Sequence, residues 1–189
     1  MAMEKFKITL GRLATVLLLA MATACTNGAG NAADDDKVET KPTAEALSPV
    51  YDDNTAPMAQ LDDALRQAGE EGKFVVAQIG GNWCPWCLRF ADFITKDAEI
   101  NAIVNDNFVY VHINVYAIDN GSGKRTTNED VMQRLGNPMR FGYPVMVVLD
   151  AQGNVLHIQD SALLEEGQGY NRESVMRFFN MWTPQAVKG

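Results

Sequence analysis

The sequence predicts an α/β domain in which a central mixed sheet is flanked by helices. Three observations carry this expectation. Strand-like apolar runs alternate with segments of helical period, the last two strand candidates are joined by a short Gly153-Asn154 connection, and 189 residues suffice for one substantial core but hardly two. A hydrophobic content of 47% excludes a wholly disordered chain.

The folded region is expected to begin near Asn54 or Thr55. Thr55 is the candidate cap of a helix around Pro57–Ala68, in which Leu61 and Leu65 lie four apart while Ala64 and Ala68 widen the apolar face. Gly69 and Gly72 interrupt it. Phe74–Ile79 reads as a buried strand, and Gly80-Gly81 turns the chain into Trp83-Cys84-Pro85-Trp86-Cys87, which opens a helix through Leu88, Phe90 and Phe93. A short helix over Ala98–Val104 and a β-compatible run, Phe108–Val115, follow. Residues Asp119–Asn128 form a polar excursion before a helix around Glu129–Leu135. Val145–Leu149 and Val155–Gln159 are the hairpin strands, with Asp150 as a turn residue. A terminal helix around Arg172–Trp182 brings Val175, Phe178, Phe179 and Trp182 near one face, and residues 184–189 are left as a tail.

The chemistry is concentrated at Cys84 and Cys87. A cysteine in the first turn of a helix meets unpaired backbone N–H groups and the positive end of the helix dipole, which favour its thiolate. Cys84 is therefore the candidate nucleophile and Cys87, one turn inward, the candidate resolving thiol. Reduced Cys84 would attack a substrate disulfide and Cys87 would release the product; the reverse direction would oxidise a dithiol. Pro85 suits the helix start because its missing N–H costs little there. Trp83 and Trp86 are candidates for substrate positioning, with ordinary packing as the alternative. A purely structural disulfide would close too small a loop to stabilise much. A zinc site would need ligands beyond this pair, and His112 and His157 lie far away in sequence. No cofactor or metal is expected. Gly121-Ser122-Gly123-Lys124-Arg125-Thr126 lacks the spacing of a phosphate-binding loop.

The ordered set formed by Trp83-Cys84-Pro85-Trp86-Cys87, Gly142-Tyr143-Pro144 before a strand, and Asp150-Ala151-Gln152-Gly153-Asn154 between the last two strands resembles the thioredoxin superfamily over about residues 56–183. Asn82-Trp83-Cys84-Pro85-Trp86-Cys87 and the long Tyr116–Asn128 excursion look closer to exported, thioredoxin-like disulfide reductases than to a minimal cytosolic thioredoxin. The resemblance implies a thioredoxin-like fold and a cis-proline at Pro144 beside the cysteines, with the Tyr143 backbone aligning an extended substrate. It also exposes a departure. Gln78 stands where reducing members have a buried acid, and an amide cannot serve as a carboxylate base.

Residues 1–24 read as an export signal: Lys5, Lys7 and Arg12 precede the apolar stretch Leu13–Ala22, which is too short for an ordinary membrane span. The pattern resembles a bacterial lipoprotein signal in which Cys25 becomes the lipidated first residue, although Ala22 stands where leucine is usual. Simple secretion and a retained signal anchor are the alternatives. Residues 25–53 are expected to be a flexible tether, and Thr26 after Cys25 points to the outer membrane. Residues 54–183 would be the domain, held in the periplasm. With Cys25 lipidated, Cys84 and Cys87 would have only each other to pair with.

The net charge of −8 argues against nucleic-acid partners, and residues 1–24 carry Lys5, Lys7 and Arg12 but only one acid, Glu4, so the remainder is more acidic still. The expected partners are disulfide- or dithiol-containing protein clients, an electron-exchange partner, and a membrane reached through Cys25. The alternatives are a tethered redox-sensing or protein-binding domain with little turnover, and an envelope dithiol oxidase.

Overall fold

A computed structural model describes residues 47–116 and 128–188. The proposed signal, Cys25 and most of the tether lie outside these residues, as does nearly all of the polar excursion, including Lys124 and Arg125.

The first helix, α1 (Pro57–Glu71), starts one residue later than a Thr55 cap would require. Ala56 occupies the cap position without a side-chain hydrogen bond, and Pro57 stands in the first turn, where a missing N–H is harmless. Gly69 does not end the helix. The end comes at Gly72, whose φ of 68° supplies the left-handed residue that lets its N–H close on the Ala68 carbonyl.

Strand β1 (Phe74–Gly80) is buried along its whole length. Its neighbours explain why it reads as a continuous apolar run: β2 (Phe108–Asn114) pairs with it in parallel and β3 (Val145–Leu149) pairs antiparallel on the other side. Antiparallel β4 (Val155–Asp160) completes the order β2-β1-β3-β4. The sheet is mixed, as expected. Side chains alternate between two cores. Val75, Ala77 and Ile79 join Leu61, Leu65 and Val147 on the α1 side. Phe74 and Val76 join Phe90, Ile100, Met146 and Phe179 on the other.

That second face is covered by α2 (Pro85–Lys96), α3 (Ala98–Asn107) and α5 (Arg172–Met181). Asp97 caps α3 by accepting from the N–H groups of Glu99 and Ile100, and Arg172 of α5 binds the same carboxylate at 2.6 Å. The Arg172 hydrogen bond holds the Asp97 carboxyl below its usual range, helped by the Ile100 N–H. A short helix, α4 (Glu129–Arg134), lies against α1, and Pro138–Phe141 forms a single 3₁₀ turn before β3. In the β3–β4 turn Asp150 accepts from the N–H groups of Gln152 and Asn154 while Gly153 takes φ 84°, the turn role expected of it.

Beyond β4 the chain holds structure with no counterpart in the sequence expectation. A 3₁₀ turn at Ser161–Leu164 leads into a two-residue-per-strand hairpin, β5 (Glu165–Glu166) and β6 (Gly169–Tyr170). Its consequence is Tyr170, which packs edge-on to Trp86 and Phe90 and donates to the Trp86 carbonyl at 3.0 Å. Trp182 falls just past α5 and stacks on His157 at 4.5 Å, while the expected tail contains α6 (Pro184–Lys188).

Candidate functional site

The cysteines sit where β1 hands the chain to α2. Cys84 is the N-cap of α2, Pro85 its first residue, and the two sulfurs are joined as a disulfide with Cα atoms 5.3 Å apart. The Cys84 sulfur accepts the Cys87 N–H at 3.1 Å. This is the helix-start contact that stabilises a thiolate at Cys84 once the bond opens. Cys84 retains 5% of its surface and Cys87 none, so an incoming sulfur meets Cys84 first.

Around Cys84 the surface is aromatic. Trp83 is 44% exposed, with its ring 5.5 Å from both Tyr116 and Tyr143. The Tyr143–Pro144 peptide is cis, as the resemblance implied, and Tyr143 packs against the cluster formed by Tyr51 and the two cysteines. Trp86 is tied inward by Tyr170, and the Arg89 guanidinium lies over its ring at 4.7 Å. Packing and exposure therefore divide the two tryptophans: Trp83 is free to meet another molecule along one face, whereas Trp86 is partly built into the domain.

Around Cys87 the surroundings are buried and polar without charge. Gln78 is fully buried on the α2 face of β1, and its Nε2 donates to the Tyr51 hydroxyl at 2.7 Å and to the Cys87 carbonyl at 3.0 Å. Its Oε1 accepts from the Tyr110 hydroxyl at 2.7 Å. The register explains the meeting, because Gln78 is paired with His112 and Val76 with Tyr110, which puts Tyr110, His112 and Gln78 on the same face. Burial pushes the Tyr51 and Tyr110 hydroxyls up, with Gln78 pulling Tyr51 partly back. Burial also pulls His112 down to about 4, and its Nε2 has no hydrogen-bond partner.

Tyr51 corrects the expected boundary. The sequence places it in the tether over residues 25–53, yet it is 5% exposed and belongs to the cysteine cluster. Asn82 fastens it by accepting from the Val50 and Tyr51 N–H groups, both at 3.0 Å, and donating to the Tyr51 carbonyl at 2.8 Å. Asp53 is held in turn by Asn82 and Asn114. Gly80 makes room for the tyrosine. A Cβ there would lie 2.7 Å from the Tyr51 hydroxyl and closer still to the Cys87 sulfur.

The structure thus gathers Trp83, Cys84, Pro85, Trp86, Cys87, Tyr143 and Pro144 at one end of the sheet. Sequence reasoning missed Tyr51, Tyr110, Tyr116 and Asn82. The available signal for Tyr51 was a lone aromatic closing a polar, aromatic-free stretch. Among the described residues no group of three or more His, Cys, Asp or Glu side chains is placed to hold a metal, and no helix is long and apolar enough to cross a membrane.

A helix-start cysteine pair at the end of this mixed sheet is the equipment of a thiol–disulfide oxidoreductase. The chain belongs to the thioredoxin-like family, whose model matches residues 56–151. It is 28% identical over 99 residues to the thiol:disulfide interchange protein DsbD of Colwellia psychrerythraea; the match covers 52% of this chain but 15% of that much longer relative. A solved structure described as a disulphide isomerase from Xylella fastidiosa Temecula1 shares the fold, with a TM-score of 0.58 and 24% identity, covering 71% of this chain and 97% of the other.

Proposed function

We propose that this protein reduces disulfides in exported client proteins of a bacterial envelope, using Cys84 as nucleophile and Cys87 as resolving thiol. The observation that carries the reading is Cys84 at the start of α2, the one cysteine of the pair that keeps any surface, with its sulfur on the Cys87 N–H. In the reduced protein the Cys84 thiolate attacks one sulfur of a client disulfide, forming a mixed disulfide and releasing the other client sulfur as a thiolate that takes up a proton. Cys87 then gives up its proton, which ends on the departing client sulfur, and attacks Cys84. The Cys84–Cys87 disulfide forms, the second client thiol leaves, and two electrons have passed to the client. A dithiol electron donor must then restore the pair.

Neutrality between the cysteines favours this direction. Pro85 and Trp86 bring no charge, and the Arg89 guanidinium rests on the Trp86 ring. The helix start is then the main stabiliser of the Cys84 thiolate, which makes a weaker oxidant than a pair with an added cation. Trp83, Tyr143 and Pro144 form the rim against which an extended client segment would lie. The expected export signal, Cys25 lipidation and a tether ending before Tyr51 would hold the domain in the periplasm, anchored at the outer membrane.

Equilibration of the purified protein with glutathione tests the direction. A potential of about −250 mV or lower supports a reductase, and one near −120 mV would make it an oxidase. Acyl labelling of the intact and Cys25→Ala chains tests the anchor: label that depends on Cys25 supports it, and equal label in both rejects it.

A further inference from the structure

We infer that Tyr51, reaching in from the segment before the first helix, is a positioning residue that holds the sulfur of the resolving cysteine through its hydroxyl. The inference deepens the proposed exchange reaction and rests on it for its catalytic consequence, while its structural part stands on geometry alone.

Three observations place the hydroxyl. Tyr51 belongs to the same buried cluster as Cys84 and Cys87. The Tyr51 hydroxyl and Cys87 sulfur crowd the same point beside Gly80, where a Cβ would collide with both, 2.7 Å from the oxygen and closer still to the sulfur. The direction of the hydrogen bonds then orients the group. Tyr110 donates to the Gln78 carbonyl oxygen, so the Gln78 amide presents its N–H groups to the Tyr51 oxygen and the Cys87 carbonyl. Tyr51 is thereby an acceptor toward Gln78, and its own proton is left to point away from that amide. The cysteine side is where the cluster continues.

The chemistry follows from what Cys87 must do. To resolve a mixed disulfide it must become a thiolate in a site with no solvent exposure, where desolvation opposes charge. A hydrogen bond donated to the sulfur favours that thiolate. Tyr51 acts as donor and not as proton acceptor, since burial pushes its own ionisation up and Gln78 cannot take a proton. In the resolving step Cys87 gives up the proton that the client sulfur finally takes, the Cys87–Cys84 bond forms, and the Cys84–client bond breaks. The electron pair of that bond leaves on the client sulfur, which is then protonated. The titratable neighbours of this cluster are Cys84, Tyr143, Tyr110 through Gln78, Tyr170 from the β5–β6 hairpin, His112 against the Tyr51 ring, and Asp53 under Asn82 and Asn114.

The test is made in the full chain. In a Cys84→Ser background, the pH dependence of Cys87 alkylation is compared with and without Tyr51→Phe. Removing one hydrogen bond to a charged group is expected to cut the thiolate fraction near neutral pH about tenfold, moving the Cys87 midpoint up by about one pH unit. With Cys84 and Cys87 both present, Tyr51→Phe should slow mixed-disulfide resolution by a similar factor while leaving the initial attack by Cys84 unchanged. An unchanged Cys87 midpoint in a folded Tyr51→Phe protein overturns the inference. Should that variant not fold, the Tyr51 ring carbon bearing the hydroxyl is followed by carbon-13 NMR in the Cys84→Ser chain. A titration sharing the Cys87 midpoint supports the contact, and its absence overturns it. A shifted midpoint with no exchange on any disulfide by the native chain supports Tyr51 and overturns the oxidoreductase reading.

Discussion

The two cysteines are three residues apart and live in different surroundings. Cys84 faces an open aromatic rim of Trp83, Tyr116 and Tyr143, whereas Cys87 faces a closed set of neutral polar groups, Tyr51, Gln78 and Tyr110. The rim would change its contacts with each client. The inner set has its hydrogen bonds made within the fold, so with Tyr51 on the Cys87 sulfur as inferred, altering one member would change the sulfur beside it. On the proposed reading one region would govern what approaches and the other how the reaction finishes.

The largest expected effect would break that division outright. Cys84→Ala should remove disulfide exchange to the background rate, whereas Cys87→Ala should still attack and stall as a mixed disulfide, as mass spectrometry of the adduct would show. Next is the inner space itself. Gly80→Ala places a methyl group against both the Cys87 sulfur and the Tyr51 hydroxyl, and such overpacking is expected to cost about 1–3 kcal/mol in urea unfolding.

His112 sharpens the claim that the inner region excludes charge. Its ring sits edge-on to Tyr51 and Tyr110, and its folded pKa of about 4 lies below the ordinary histidine value. Between those two values the unfolded chain binds a proton that the folded chain refuses, so stability falls as pH falls from about 6.5 toward 4 and this contribution then levels off. Over that window native protein should lose about 3 kcal/mol more than a His112→Gln variant, measured by urea unfolding at pH 7 and pH 4. The Asp97 carboxylate, lowered by Arg172, acts in the same sense but at lower pH: its contribution is present above the unfolded carboxylate range and is lost as pH falls through the lowered folded value. That is why the comparison with His112→Gln is needed.

The smallest effect belongs to the rim. Trp83→Ala should change stability by about 1 kcal/mol, as expected for a side chain less than half exposed, yet weaken a client peptide with apolar residues beside its disulfide by about three- to tenfold. Equal loss on a small-molecule disulfide would show that Trp83 acts on the cysteines and not on the client.

The same contrast separates what could be read from sequence. The nucleophile was legible because it is local: Cys84-Pro85 at a helix start and a strand-like run before it imply their own geometry, whereas the rim joins Trp83 to Tyr143, expected only through the resemblance, and to Tyr116, which was not expected. That Phe74–Ile79 is a buried strand followed from its apolar run, and the Asp150–Asn154 turn from its residue types. The inner set is non-local. It depends on β2 pairing with β1 in the register that puts Tyr110 near Gln78, and on Tyr51 being drawn in by Asn82 across 31 residues. The end of α1 shifted for a local reason: Gly69 is exposed and tolerated within the helix, and only Gly72 takes the left-handed conformation that stops it. The β5–β6 hairpin has strands too short to show a period, yet it supplies Tyr170 to Trp86.

The central claim is that Cys84 attacks and Cys87 resolves. Its most direct test is to incubate the reduced Cys84→Ala and Cys87→Ala proteins with one disulfide-containing peptide and quantify the adducts by intact mass. The account predicts a stable adduct on Cys84 in the Cys87→Ala protein and essentially none in the folded Cys84→Ala protein. Faster adduct formation through Cys87 would contradict it.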